Sequence, residues 1–299
     1  DHRDLHSFPT RRSSDLGESG CGKTTIGKLV MKLEDPSSGS IFFGGEDCTK
    51  LDRAGTEIYR RRVQMIFQDP YASMNPHYKI RDVVEEPLLI HKACGRREER
   101  NRLVEGVLEK VKVSPAAEFM ERHPHMLSGG QRQRVATART LILQPQVIVA
   151  DEPVSMIDLS TRAEILHLLR SLQADMGLSY LYITHDISTA RYFTDRIAVM
   201  YLGRIVEIGK QDDVIDNPKH PYTKALIDAV CEPVPGRVGI KRRLNVIGEI
   251  PSAANVPAGC RFHPRCPYAA PSCASEPEPE LVDIGSGHLH ACRRWKEIG

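Results

Sequence analysis

Short apolar runs alternate along this chain with segments in which apolar residues recur every three or four positions. The runs 63–67, 147–150, 180–184, 197–200 and 204–208 have strand length, are rich in β-branched or aromatic residues, and are bounded by turn residues. A shorter run, 41–43, reads the same way. Helical spacing marks 24–33, 82–94, 97–113, 131–143, 161–176 and 187–193. In 97–113 it gathers Leu103, Val104, Val107, Leu108 and Val111, with Arg100, Glu105, Glu109 and Lys110 on the charged side. Alternating strands and helices predict an α/β fold with a mostly parallel sheet. The block from about 70 to 137 interrupts that alternation as a helical insertion. Beyond Glu232 the pattern dissolves, because Pro233, Pro235, Pro251, Pro257, Pro264, Pro267 and Pro271 break any long element. Such a tail needs a cross-link to hold a shape.

Composition changes this picture little. Of 299 residues, 40% are hydrophobic and 27% charged, enough for one large or two moderate domains with real cores. Forty-one basic residues oppose 39 acidic ones, so no global field draws the chain to nucleic acid or anionic lipid. No apolar run approaches the roughly 18 residues that a membrane-spanning helix needs.

Two segments carry chemistry. Gly17 to Thr24, GESGCGKT, has the form G-x-x-x-x-G-K-[ST]. Glycines in such a loop let backbone N–H groups turn toward a phosphate, the following helix presents its positive end, Lys23 adds a mobile charge, and Thr24 can coordinate Mg²⁺. Gly17, Ser19, Gly20, Cys21, Gly22, Lys23, Thr24 and Thr25 are therefore candidate nucleotide contacts. A flexible glycine turn with a solvated lysine is the bland alternative. The second segment, VIVADEP, ends an apolar strand in two acids. Asp151 is placed to hold Mg²⁺ and Glu152 to orient and deprotonate water; the alternative is a pair of solvated turn carboxylates.

A phosphate loop should follow a strand, and none is legible ahead of Gly17. Residues 1–16 hold three arginines, three aspartates, two histidines and a proline, with only Leu5, Phe8 and Leu16 as large apolar residues. The composition excludes a central strand and lacks the apolar core of a targeting peptide. Residues 6–16, HSFPTRRSSDL, resemble instead the translation of a common DNA-sequencing adapter. The expectation is an assembly artefact over 1–16 in place of a native segment, with weak ATP binding and poor folding as consequences.

LSGGQ, Leu127 to Gln131, resembles the signature of ATP-binding cassette (ABC) ATPases, and its companions follow in order: Gln68 in IFQDP, Asp158 in VSMID and His185 in YITHD. The resemblance covers roughly 17–299. It implies a P-loop NTPase (RecA-like) core with a helical insertion subdomain and a Pro/Cys-rich C-terminal extension. Ser128, Gly129, Gly130 and Gln131 would form a second anion cradle. In the family each ATP lies between one subunit's Lys23 loop and the other's signature, so a second ATPase subunit, a paralogue or a second copy, is implied. Gln68 would touch Mg²⁺, Asp158 would serve the dimer contact, and His185 would meet the γ-phosphate and hold Glu152. Met156-Ile157 departs from the usual family form beside Asp158.

FQDPYASMNP (67–76), HPYTKALIDAV (220–230) and GEIPSAANVPAGCRFHPRCPYA (248–269) resemble the ATP-binding subunits of oligopeptide and dipeptide importers. Relatives that carry nickel or oligosaccharides are the alternative, and a soluble cassette acting on nucleic acid or ribosomes a more distant one. The resemblance implies a nucleotide-binding domain over 17–232 and an extension over 233–299. It also implies two membrane permeases, an extracytoplasmic peptide-binding protein, no nucleic acid, and a place at the cytoplasmic face of the inner membrane.

Cys260, Cys266, Cys273 and Cys292 are spaced C-x5-C-x6-C-x18-C. In a reducing compartment such a cluster is expected to bind metal rather than form disulfides. Four thiolates suit Zn²⁺ or a [4Fe-4S] cluster, and spacing does not choose between them; resemblance to the importer tail favours iron-sulfur. His263, His288 and His290 are near enough in sequence to replace a thiolate, but surface positions are expected for them.

Overall fold

The computed structural model describes residues 12–17, 20–229, 246–249, 251–252 and 254–298. In chain order the elements are β1 (Arg12–Leu16), α1 (Lys23–Val30), β2 (Phe42–Phe43), β3 (Glu46–Asp47), α2 (Arg53–Arg62), β4 (Val63–Ile66), α3 (Ile80–Ile90), α4 (Arg97–Lys110), α5 (Ala116–Met120), α6 (Gly129–Leu141), β5 (Val147–Asp151), α7 (Leu159–Met176), β6 (Ser179–Thr184), α8 (Ile187–Phe193), β7 (Arg196–Tyr201), β8 (Arg204–Lys210), α9 (Gln211–Asp216), α10 (Pro221–Ala229), α11 (Pro271–Ser275), β9 (Val282–Asp283), β10 (Leu289–His290) and α12 (Trp295–Ile298). The expected strands and helices are present within a few residues of their anticipated ends. Helix α2, β3 and the strands and helices after 208 were not anticipated from periodicity. The chain divides into two compact units, one over 26–181 and one over 12–25 with 182 onward.

In the first unit β4 and β5 pair in parallel, Val63 opposite Val147 and Ile66 opposite Ala150. Helices α3, α4, α5 and α6 form the insertion. Val83, Val84 and Leu88 of α3, Val104 and Leu108 of α4, and Val135, Ala138 and Leu141 of α6 are buried there. Of the apolar residues that predicted α4, Val104, Val107, Leu108 and Val111 are buried, as burial of one helical stripe requires, while Leu103 is exposed. Ionic contacts pin the rim: Arg100 Nε donates to Glu85 Oε2 at 3.1 Å and Arg139 Nη2 to Glu86 Oε2 at 2.6 Å.

In the second unit β1 pairs in parallel with β7, Asp15 opposite Ala198 and Leu16 opposite Val199. Strands β7 and β8 are antiparallel, and β10 joins β8 and β9, again antiparallel. The unit is therefore mixed where a mostly parallel arrangement was expected, because β7 returns directly through the tight turn at Leu202-Gly203. Its core joins Leu16, Ile187, Ile197, Val199, Val206, Val214 and Tyr222 to Phe262. Tyr201, Tyr222 and Phe262 have ring centroids 4.7–5.4 Å apart.

Strand β1 corrects the sequence reading. Residues 12–16, judged too polar for a central strand, form one beside β7. Backbone pairing is blind to side chains, and the chain must reach Gly17 from somewhere; sheet hydrogen bonds satisfy N–H and C=O groups that would otherwise be buried alone. The side chains still register the mismatch. Ser13, Ser14 and Asp15 are all buried, and the Ser13 and Ser14 hydroxyls have no hydrogen-bond partner among the described residues. At the strand's start Arg12 is satisfied, pairing with Asp195.

Candidate nucleotide site and the cysteine cavity

In the second unit the phosphate loop leaves β1 at Leu16. Gly17 is pressed against β7: a Cβ there would lie 2.4 Å from Met200 O and 2.7 Å from Cys21 Sγ, so only glycine fits. Gly20 and Gly22 have φ of 81° and 104°, the left-handed side that glycine reaches without strain. The loop is tied down by Gly203 N–H donating to Cys21 O at 2.7 Å. Lys23, buried at the start of α1, folds back so that Nζ donates to Gly17 O at 2.6 Å and lies 3.6 Å from Cys21 Sγ. Thr24 and Thr25 are exposed on the first turn of α1. Ser19 lies outside the described residues.

Asp15 stands two residues before Gly17. Burial lifts its carboxyl to about 7, against the opposing pull of the Lys23 charge. His185, exposed just after β6, precedes Asp186, which caps α8 by accepting the Ser188 N–H at 2.8 Å.

In the first unit strand register sets the chemistry. Since Ile66 stands opposite Ala150, two further residues along each parallel strand bring Gln68 level with Glu152. Gln68 Nε2 donates to Glu152 Oε2 at 2.9 Å. Asp151 is buried at the end of β5, and Glu152 turns outward with φ 45°, a left-handed conformation that a non-glycine residue adopts only under tertiary constraint. The loop after Gln68 is folded by Asp69 Oδ1, which accepts the Tyr71 and Ala72 N–H groups at 2.7 and 3.1 Å. Arg139 Nη1, on α6, holds it further on through Ser73 O at 2.7 Å.

The LSGGQ segment starts α6. Ser128 caps it: Oγ accepts the Gln131 N–H at 3.3 Å while Gln131 Oε1 accepts the Ser128 N–H at 3.0 Å. Gly129 follows in the first turn, partly exposed. A Cβ at Gly130 would fall 2.5 Å from Thr161 Cγ2, so this glycine admits the first turn of α7. Asp158 caps α7, accepting from the Thr161 N–H at 3.3 Å, Ser160 Oγ at 3.1 Å and Thr161 Oγ1 at 3.2 Å. Those bonds hold its carboxyl below the ordinary range. Gln68 with Glu152, and Asp158 with the signature's Gly130 neighbour Thr161, are thus brought together in one unit; Lys23, Gly17 and Cys21 are gathered in the other.

Residues 11–155 match the family profile described as ABC transporter, and 206–273 match the oligopeptide/dipeptide transporter C-terminal region. The dipeptide transport ATP-binding protein DppF of Haemophilus influenzae is 44% identical over 96% of this chain and 86% of its own length. The oligopeptide transport ATP-binding protein AppF of Bacillus subtilis is 43% identical over 97% of this chain and 88% of its own. A dimeric, post-hydrolysis structure of the ATP-binding cassette MJ0796, bound to ADP and Pi, matches with a TM-score of 0.60 at 30% identity, covering 67% of this chain and 85% of that one. This chain belongs to the ABC transporter family. It is an ABC ATPase with the cassette's P-loop NTPase fold.

Outside the nucleotide motifs, the ABC subunit's extension builds a cavity. Cys260, Cys266, Cys273 and Cys292 all line it, together with His220 and Phe262. None of the four is in a disulfide. Gly259, with φ 67°, passes so close to Cys273 that a Cβ would meet its carbonyl at 2.4 Å, and Cys260 N–H donates to the same oxygen at 2.8 Å. Burial raises the Cys260 thiol and lifts those of Cys266 and Cys292 to about 11. Among the described residues no group of three or more His, Cys, Asp or Glu side chains is arranged to hold a metal ion.

His288 and His290, expected at the surface, are buried; His263 is partly exposed. The reason is β10, which pairs with β8 and carries both imidazoles inward beside Glu207. Sequence reading passed over Glu207 altogether. Its signal was a lone acid inside the apolar run of RIVEIG, where an unpaired charge would be costly.

Proposed function

We propose that this chain is the ATP-hydrolysing subunit of an importer for dipeptides or oligopeptides. One observation carries the reading: the cassette's nucleotide motifs and a C-terminal region matching the oligopeptide/dipeptide transporter family occur in a single chain. The nucleotide-binding domain would span 17–232 and the extension 233–299. Two membrane permeases, a second ATPase subunit and an extracytoplasmic peptide-binding protein are the proposed partners, which places the subunit at the cytoplasmic face of the membrane. The buried serines and aspartate of β1 support the reading that residues 12–16 stand where an apolar stretch belongs.

The loop around Lys23, with Thr24 and Thr25, would bind the nucleotide phosphates. Thr24, Asp151 and Gln68 have the oxygen donors that Mg²⁺ takes, and would hold it; bound there, Mg²⁺ neutralises charge on the phosphate oxygens. Glu152 takes the proton from the attacking water, and the 2.9 Å hydrogen bond from Gln68 sets the orientation of its carboxylate. His185 and Lys23 stabilise charge developing on the γ-phosphate. Ser128, Gly129, Gly130 and Gln131 would meet the nucleotide bound by the second subunit, with Asp158 beside them.

The four cysteines have the donor chemistry of a metal centre and line one cavity, although their side chains as placed are not arranged around an ion. An iron-sulfur cluster is proposed there, with Zn²⁺ as the alternative, and either would cross-link a tail with little core of its own. Iron and acid-labile sulfide in anaerobically purified protein are the check, and a stable, metal-free tail would end the proposal.

Glu152→Gln tests the hydrolytic assignment. ATPase turnover should fall about 10²–10⁴-fold, as loss of a general base implies, while ATP-dependent association of the subunits rises. Wild-type turnover in that variant would remove Glu152 from the mechanism. Uptake of labelled peptides by the assembled importer distinguishes peptide from nickel or oligosaccharide cargo.

A further inference from the structure

Glu207 is the most completely enclosed carboxylate described in the second unit, 0% exposed in the middle of β8. Its oxygens are fully engaged. Oε1 accepts the Lys219 N–H at 2.7 Å and meets His288 Nε2 at 2.7 Å; Oε2 accepts the His220 N–H at 2.9 Å. A carboxylate only accepts here, so the His288 imidazole is the donor. With β8 itself, these partners bring together three stretches of chain: β8, the turn leading into α10, and the segment leading into β10.

Two of those stretches continue directly into walls of the cysteine cavity. From the first, His220 and Pro221 line it. His220 is fixed in orientation, since its Nδ1 accepts the Tyr222 N–H at 3.2 Å. From the second, His290 stands opposite Glu207 in the β8–β10 pairing, and its Nδ1 accepts the N–H of cavity-lining Cys292 at 3.2 Å. His290 also packs on Trp295 with ring centroids 5.0 Å apart. Gly209 makes room for this arrangement, because a Cβ there would crowd the His288 ring at 3.1 Å.

We propose that Glu207 is a positioning residue for the four-cysteine cavity, fixing the two walls that carry His220 and Cys292 to the sheet of the nucleotide-binding domain. A buried carboxylate left short of partners is costly, so it holds these segments only in an arrangement that satisfies every bond at once. The prediction for metal retention rests on the metal reading above. The prediction for wall geometry does not.

The test uses the full chain with Glu207→Gln, which puts an amide N–H against donors that need an acceptor, and Glu207→Asp, which keeps the charge. Maleimide labelling resolved by site should show Cys292 reacting about tenfold faster or more in Glu207→Gln, through local opening of its wall. Buried Cys48, in the other unit, is the reference and should stay protected. Glu207→Asp should restore part of the protection. Metal affinity should fall about 10–100-fold in Glu207→Gln, the usual consequence of losing an outer support. Unchanged labelling of Cys292, or Cys48 rising in step with it, overturns the proposal. If labelling shifts as expected while wild-type protein carries neither iron nor zinc, the metal reading falls and the positioning role stands.

Discussion

Two carboxylates are buried in the same unit and end in opposite states. Asp15 on β1 is enclosed with the charge of Lys23 as its favourable influence, and burial wins, lifting the carboxyl to about 7. Glu207 on β8 is enclosed more tightly. Burial would raise it too, but hydrogen bonds from His288 and from the His220 and Lys219 N–H groups more than offset that, and its carboxyl lies below the ordinary value. Burial therefore does not decide ionisation; the number of donors aimed at the charge does. Glu207 occupies a site built for a carboxylate, whereas Asp15, opposite Ala198, is met chiefly by the charge of Lys23.

Removing the built site should have the largest effect. Glu207→Leu leaves His288 and two backbone N–H groups buried without their acceptor and should lower stability by about 3–5 kcal/mol, read from urea denaturation. A loss below that of an ordinary surface substitution would show the two sites to be alike after all. Asp15→Val should act in the other direction. Replacing a poorly served buried acid with an apolar residue opposite Ala198 should add about 1–3 kcal/mol at pH 8, and ATP binding measured by titration should strengthen with it. A destabilised Asp15→Val protein would mean that β1 uses the carboxylate.

The smallest effect is a pH dependence. Asp15 holds its proton more tightly folded than unfolded, so its contribution is complete below about 4 and is lost as pH rises through about 7. His220 has the reverse sign: burial lowers it from 6.5 to about 4, and its contribution is lost as pH falls across that interval. The two contributions oppose each other over the same interval, so thermal unfolding of wild-type protein should change little between pH 4 and 7, whereas Asp15→Asn should unmask the His220 loss, its stability falling by about 1–3 kcal/mol from pH 7 to 4. An Asp15→Asn protein whose stability stays flat over that interval would show that Asp15 does not offset His220.

The segments proposed to carry the nucleotide chemistry are legible because they are local. GESGCGKT, VIVADEP and LSGGQ each place their functional atoms within one turn or strand end, and neighbours along the chain supply the capping and glycine geometry. The pairing of Gln68 with Glu152 is not legible in the sequence, where the resemblance assigns Gln68 to Mg²⁺ and His185 to Glu152, since its 2.9 Å contact depends on the register of two strands 84 residues apart. His288 and His290 misled for the same reason. Their segment, GSGHLHAC, is short and broken by glycines, and only pairing with β8 makes it interior.

By itself, then, the amino-acid order determined which short segments can grip phosphate, carry a base or present thiols, because those capacities reside in contiguous residues. The tertiary structure alone decided that polar residues 12–16 lie in a strand, that burial raises the Asp15 carboxyl while hydrogen bonds lower that of Glu207, and that His288 and His290 are interior. Each of these is set by which distant backbone donors and side chains surround a group, and that environment exists only once the chain has folded.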